Sequence, residues 1–510
     1  MTMYVKNLFK TKKTFLLLII IFAVAGGAHV IAVEGSTKAN RSKLSGGSTS
    51  SVNDKTLTDC VVHALENSYE VKLAKLDMFI AETDMMYTEA VYDIFFTTSA
   101  SYLEDKRQNL SVFAADDNQQ NACSVGLEKT FRSGTKIKGR LSDTRAWSNN
   151  PYVSKNPSHN AEIAFEVEQP VGKNFFGYND RAKVSMTKLA IENASVKEQD
   201  IIEDIAVNVE KLFYKCIYAN ETLNVTKNML NKAQELQDKN IKNFDLGLIE
   251  EVDLKASEAN VARMKKDVLL SENNKKRALE NLKLALNSSE DQIFYPEGTL
   301  PDSFDLADIG SYLKEAFDSR RDYKIAKKDI DIKGIDLKIK QNSLWPQIDL
   351  LATVKNNGLE NEFDKAMGKV TSMDNTYYYA GVEVNVPLEN SKARSERDRS
   401  LYEKEKSVIE LKQLERKIIT EVANAYNDVK TFSGSVSIIS DAAKLEKEKL
   451  ELEEARFNTG RSNTRRVIEY QQDLLRAELE KLALLLDHNL SVSALSKVLN
   501  LTLEKYKDKL

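Results

Sequence analysis

The sequence is poor in the residues that break regular structure. Only 7 prolines and 19 glycines occur in 510 residues, which argues against many short elements joined by turns and for long uninterrupted ones. Cysteine is scarce too. Cys60, Cys123 and Cys216 are an odd, widely spaced set with no CxxC or zinc-ligand spacing, so neither a disulfide framework nor a zinc site is expected, and they read as buried thiols. The 4 histidines are scattered, and the sequence offers no metal site and no cofactor motif. Charge of one sign is not in excess: the formal net charge is −4 with 29% charged residues, which gives no electrostatic footprint for nucleic acid and reads as solvated helix faces. G-x-S-x-G, Walker, Rossmann and H-E-x-x-H patterns are all missing, so no catalytic residues are assigned and an enzyme is the least supported class.

The N-terminus carries a clear signal. Lys6, Lys10, Lys12 and Lys13 precede the apolar run Phe15 to Ala25, and small residues follow at Gly26 to Ala28 and Ala32. This order predicts a secretory signal peptide over 1–32, with an uncleaved membrane anchor as the alternative reading. A flexible Gly/Ser/Thr/Asn/Lys leader over 33–56 comes next. An exported chain leaves disulfide formation between one cysteine pair open.

From Leu57 onward, helical and strand periods alternate, and they do so twice. An offset of about 213 aligns Ile205 with Ile418, Val209 with Val422, Phe213 with Tyr426, Phe244 with Phe457 and Gly247 with Gly460. A second offset, of about 252, aligns Ala64 with Ala316 and Ile80 with Ile332. Two internal structural repeats are expected, over 57–300 and 301–500, with a tail over 501–510. Each reads as a helix, a strand region, a very long helix, a break at Phe-x-x-Gly and a further helix. The helices are placed at Leu57 to Tyr92, Phe176 to Lys242, Ala393 to Glu454 and Thr464 to Val498. In the last of these, Leu475, Leu479, Leu482, Leu486 and Leu490 form a stripe suited to coiled-coil packing. The intervening strands look like membrane strands. Tyr378, Ala380, Val382, Val384, Val386 and Leu388 share one face, against Gly381, Glu383 and Asn385 on the other, and Tyr377 to Tyr379 suit an interfacial aromatic girdle. Gln347 to Lys355 and Ala161 to Val167 alternate similarly. Ser124 to Phe131 and Thr135 to Asp143 read as extra strand sequence, either a surface hairpin or a strand extension.

The doubled helix–strands–helix plan, Trp345-Pro346 opening a strand, Gln169-Pro170 and Val386-Pro387 closing strands, and the paired Phe-x-x-Gly turns resemble the TolC-like outer membrane factor family over about Leu57 to Val498. The resemblance implies a mainly α fold with membrane β: a homotrimer in which long coiled-coil helices form an α-barrel and four strands per chain build one shared transmembrane β-barrel. It also implies an exit duct of a tripartite efflux or type I secretion system, located in the outer membrane, extending into the periplasm, and partnered by a periplasmic adaptor and an inner-membrane transporter. By analogy, Leu246, Gly247, Leu248, Thr459, Gly460, Arg461 and Ser462 form an adaptor-docking tip. The family's constricting acids fall at Arg466 and Glu469, so one acid is replaced by a base. Asp253 matches an acidic tip residue whose hydroxyl partner falls at Phe457, which has none. A differently tuned gate of Asp253, Arg465, Arg466 and Glu469 is expected, with Pro170, Pro346 and Pro387 at strand–helix junctions. The alternatives are a periplasmic adaptor protein and an anchored structural coiled coil.

Overall fold

The structure, a computed structural model, describes residues 56–108, 115–288 and 296–509. The expected signal peptide and nearly all of the leader lie outside the described residues.

The first helix, α1 (Leu57–Asn67), starts at a capping box. Thr56 Oγ1 accepts the Asp59 N–H at 3.3 Å, and the Thr56 N–H reaches the Asp59 carboxylate at 3.2 Å, satisfying two donors that a helix start leaves open. The sequence predicts one helix to Tyr92, but the chain breaks at Ser68 (ψ 134°), whose hydroxyl caps α2 (Tyr69–Glu89). Arg320 (ψ 125°) makes the same one-residue break between α5 (Ile309–Ser319) and α6 (Arg321–Asn342). Helical apolar spacing runs through both breaks, so periodicity does not reveal them.

Two helices dominate. Helices α3 (Tyr178–Asp245) and α8 (Ser391–Asn458) are each 68 residues long, about 100 Å at the α-helical rise. They are followed by α4 (Glu251–Ala285) and α9 (Thr464–Val498), each of 35 residues. Toward the tips of these hairpins the helices lie side by side in the order α8, α9, α3, α4. Toward the sheet the order is α2, α3, α6, α8. A layer one helix thick and four helices wide results.

Apolar clusters hold the layer together. Cys60, Val61 and Leu65 of α1 meet Phe213 and Leu282 in the first. Ala233, Leu236, Met264, Leu450 and Leu474 form the second, nearer the tips, and Ala316, Ile418, Val422 and Leu495 form the third. The leucine stripe read on α9 is only half-buried in the single chain, whereas Val467, Leu474, Leu485 and Leu495 are buried. Helix α9 packs on both α3 and α8, so it buries more than one seam.

The strands form one antiparallel meander in the order β1 (Ile94–Asp105), β2 (Asn118–Thr130), β3 (Lys136–Ser148), β4 (Ser158–Pro170), β5 (Gln347–Glu360), β6 (Thr376–Asn385). This corrects the four strands implied by the family resemblance: the sheet has six. The extra strand sequence is a full-length hairpin between β1 and β4, turned at Gly134 (φ 72°) with hydrogen bonds between Phe131 and Thr135 and from Gly134 to Phe131. Strand β6 stops at Asn385, short of the expected Leu388, because Pro387 has no N–H to continue the ladder.

Candidate functional site: a two-faced sheet and a helical tip

Register sorts every strand into the same two faces. Phe96 of β1 stands opposite Leu127, which stands opposite Gly139, then Phe165, Val354 and Tyr378. One row away run Val125, Leu141, Ile163 and Asn356. This face is apolar over its middle. The other face carries Glu128, Lys138, Glu166, Thr353 and Tyr379 in mutual register. The sheet curls toward this polar face, leaving a cavity of about 560 Å³ lined by residues including Lys136, Glu162, Glu168, Lys355 and Tyr377. Strict alternation splits the expected tyrosine girdle. Tyr378 sits on the apolar face, while Tyr377 and Tyr379 line the polar hollow.

A short helix, α7 (Phe363–Ser372), covers the apolar face at the end of β4 and β5 farthest from the long helices. Ala366 and Val370 pack on Ala161. Gly358 permits this approach, since a Cβ there would lie 2.0 Å from the Ala366 carbonyl oxygen. Buried Asn356 donates to the Val370 carbonyl at 2.5 Å.

At the other end, sheet and helices are joined where the prolines lie. Pro170 ends β4, Pro346 precedes β5, and Pro387 lies two residues beyond β6. The Val171 N–H donates to the Ile348 carbonyl and the Lys173 N–H to the Pro346 carbonyl, both at 2.8 Å. A Cβ on Gly172 would come within 2.3 Å of the same Pro346 oxygen. Gly177 (φ 72°) and Asn390 (φ 46°) then turn the chain into α3 and α8 from the left-handed region.

The two hairpin turns form the tip. Gly247 (φ 72°) and Gly460 (φ 73°) adopt the left-handed conformation that ends a helix. The Leu248 N–H bonds back to Asn243 at 2.8 Å and the Arg461 N–H to Arg456 at 2.9 Å. The turns differ chemically: Leu246, Leu248 and Val252 are 71%, 70% and 73% exposed around the first, whereas Asn458, Thr459 and Arg461 surround the second. Of the expected gate residues, Arg465, Arg466 and Glu469 are exposed in the first turns of α9, and Asp253 is half-buried in the first turn of α4. Among the described residues no ion pair joins Asp253 to the other three. Asn463 caps α9 by accepting the Arg466 N–H at 3.0 Å.

Sequence reasoning missed Glu453. It is 4% exposed, accepts the Ser462 hydroxyl at 2.5 Å, and lies 3.9 Å from Arg466 Nε and 3.8 Å from Arg456. Behind it, Thr464 donates to Asn240 at 3.3 Å and Asn260 to Gln471 at 3.2 Å. The two hairpins therefore meet near the tip through a buried polar seam.

Residues 312–501 match the outer membrane efflux protein family. No curated protein sequence matches the chain, but solved structures share its fold. One is CusC, at 14% identity, a TM-score of 0.67 and coverage of 90% of this chain and 95% of that one. The CmeC outer membrane channel of Campylobacter jejuni gives 15% identity, 0.64, 91% and 93%. The outer membrane protein VceC of Vibrio cholerae gives 13%, 0.66, 87% and 95%. The fold is that of outer-membrane channels. No helix among the described residues is long and apolar enough to cross a membrane.

The second half of the chain is tied to the first by buried carboxylates that sequence reading also missed. Glu203 of α3, 1% exposed, accepts from Arg321, from the Thr502 N–H at 2.8 Å and from Asn500 at 3.4 Å. One turn pair further along, buried Glu210 accepts the Tyr506 hydroxyl at 2.5 Å. Burial, reinforced by Glu210, pushes the Tyr506 phenol far above its ordinary range and that of Tyr214 to about 12.

Proposed function

We propose that three copies of this chain assemble into a passive conduit, with the sheets forming a barrel in the outer membrane and the helical layers a tube reaching into the periplasm. One observation carries the reading: both lateral edges of the single chain are unfinished, and they match. Among the described residues, strands β1 and β6 end the sheet without a partner on their outer side, and open edges are not tolerated in lipid. Below β1, α2 exposes Leu73, Phe79, Ile80 and Tyr87, and α4 exposes Leu269, Leu270 and Leu284. Below β6, α8 exposes Tyr402, Ile409, Ile438, Leu445 and Leu452. Edge-to-edge packing of identical copies completes both layers and closes as a ring.

In this reading the chain is the exit duct of a tripartite efflux or type I secretion system. The exposed Leu246, Leu248 and Val252, with Gly247 and the polar rim Thr459 to Ser462, dock a periplasmic adaptor, which couples the duct to an inner-membrane transporter. Asp253, Arg465, Arg466 and Glu469 set the constriction, with Glu453 holding Arg466 in place. No covalent chemistry is required of the chain.

The test is envelope fractionation, followed by electrophoresis of the unheated detergent extract and single-channel recording. A heat-dissociated trimer from the outer membrane that conducts ions supports the conduit. An inner-membrane or soluble monomer without conductance revives the adaptor and coiled-coil readings. Arg466→Asp should then shift selectivity toward cations, and unchanged conductance and selectivity would remove Arg466 from the gate.

A further inference from the structure

We infer that the barrel is closed by eighteen strands, six from each of three copies, with β6 of one copy pairing with β1 of the next, so that its lumen is wide. This rests on the conduit reading and adds to it the size of the membrane pore and the surface on which a second copy docks.

Three observations carry the inference. First, the β2–β3 hairpin belongs to the wall. Its register with β1 and β4 is unbroken over twelve pairs on one side and eleven on the other. Its apolar residues Cys123, Val125, Leu127, Ile137 and Leu141 fall on the same face as Phe96 and Phe165, and its charged Glu128, Lys136, Lys138 and Arg140 on the opposite one. A hairpin folded into the lumen or lying over an outer loop would not continue both faces.

Second, the edges fit each other. In a six-stranded meander the first and last strands run in opposite directions, so β6 meets β1 of the next copy antiparallel, as at every other junction in the sheet. Ile94, Phe96, Ala100 and Tyr102 on β1 and Tyr378, Ala380, Val382 and Val384 on β6 lie on the same face. Pairing therefore carries the apolar band across the seam.

Third, the widths agree. Strands about 4.8 Å apart and tilted about 40° each take up about 6.3 Å of circumference, so six span about 38 Å. Four helices side by side at about 9 Å span about 36 Å. Sheet and helical layer can pass into one another without either being pinched. Eighteen such strands make a barrel about 36 Å across between backbones, against about 24 Å for twelve at the same tilt, more than doubling the cross-section. Charges of both signs line the polar face, which suits bulky hydrated cargo better than a small apolar solute.

The experiment images the detergent-extracted trimer of the full chain end-on by electron cryomicroscopy and measures barrel width. A variant lacking 107–149 is imaged in parallel. Interchain disulfides are sought between a cysteine at Ser99 and cysteines placed in turn at Tyr377, Tyr379, Gly381 and Glu383, in a background with the three native cysteines changed to alanine. A barrel about 36 Å wide, an interchain β1–β6 crosslink, and narrowing by about a third in the deletion variant are expected. A conducting trimer about 24 Å wide, with the hairpin outside the wall, overturns the inference and leaves the conduit reading intact. A chain that forms neither ring nor pore overturns both. If the deletion variant does not fold, the width and crosslink of the full chain decide.

Discussion

The Glu203–Arg321 pair links α3 to α6, and its removal makes a quantitative test of how the two halves are held. Glu203 is 1% exposed and Arg321 is largely buried, with the more exposed Asp200 carboxylate 4.0 Å from the same guanidinium. At an effective dielectric of about 20, unit charges about 4 Å apart interact by about 4 kcal/mol. In Arg321→Met that attraction is lost, but so is the cost of desolvating the guanidinium, which offsets part of it; Glu203 keeps the Thr502 N–H at 2.8 Å in both proteins. The single variant should therefore lose about 3 kcal/mol, within the range for breaking a buried pair from one side. Glu203→Gln on top of Arg321→Met removes the stranded charge but keeps an acceptor for Thr502, and should restore about half of the loss or more. Thermal unfolding of the detergent-solubilised protein, followed by circular dichroism, gives the order wild type, double variant, single variant. A single variant within about 1 kcal/mol of wild type, or a double variant no better than the single, would refute the reasoning.

Other expectations follow from local geometry. Gly358→Val places a side chain against the Ala366 carbonyl and should detach α7, read as new protease cleavage within 361–375 while the strands stay protected. Gly247→Ala and Gly460→Ala meet nothing within 4 Å, so each should cost only the left-handed backbone penalty of about 1–2 kcal/mol, with assembly unchanged on native gels. Burial depresses the His488 pKa, against smaller raising effects from the Pro301 carbonyl and Asp302. The unfolded chain then binds the proton more readily, so stability is lost as pH falls from about 6.5 toward the lower folded value, and His488→Gln should flatten that limb of a stability–pH curve. Burial, and then Cys60, pushes the Cys216 thiol up to about 12. Maleimide labelling of Cys216 should stay near zero up to about pH 9 and appear only on denaturation.

Much of this architecture was legible in the sequence because it rests on long-period features. Phe244-x-x-Gly247 and Phe457-x-x-Gly460 marked the tip turns through glycine's conformational freedom, and the start and end of α9 fell at Thr464 and Val498 as expected. The β2–β3 hairpin was ambiguous because its apolar face is diluted. Gly139 interrupts the row of Val125, Leu127, Ile137 and Leu141, Lys129 and Asp143 fall on the same face, and the flanking Asn, Gln and Lys resemble a surface loop. Ser68 and Arg320 break helices through a single extended residue, which leaves apolar spacing intact on either side. Glu203, Glu210 and Glu453 look like any other acids on charged helices. Their burial depends on partners as far along the chain as Thr502 and Tyr506, and no local signal marks them. The tip residues were found by analogy, and their contrast, apolar at Leu246 and Leu248 but polar at Thr459 and Arg461, is visible in the sequence itself.

The equal lengths of α3 and α8 make the pair a ruler. The separation between sheet and tip is set by counting residues, at about 1.5 Å each. Seven residues inserted into α3 alone would drive the first turn about 10 Å past the second, and the seam of Asn240 with Thr464 and Asn260 with Gln471 would slip out of step. A change in reach must therefore be written twice, once in each long helix and again in the helix that returns beside it. Insertions and deletions in this part of the gene are expected to survive only as matched sets about 213 codons apart.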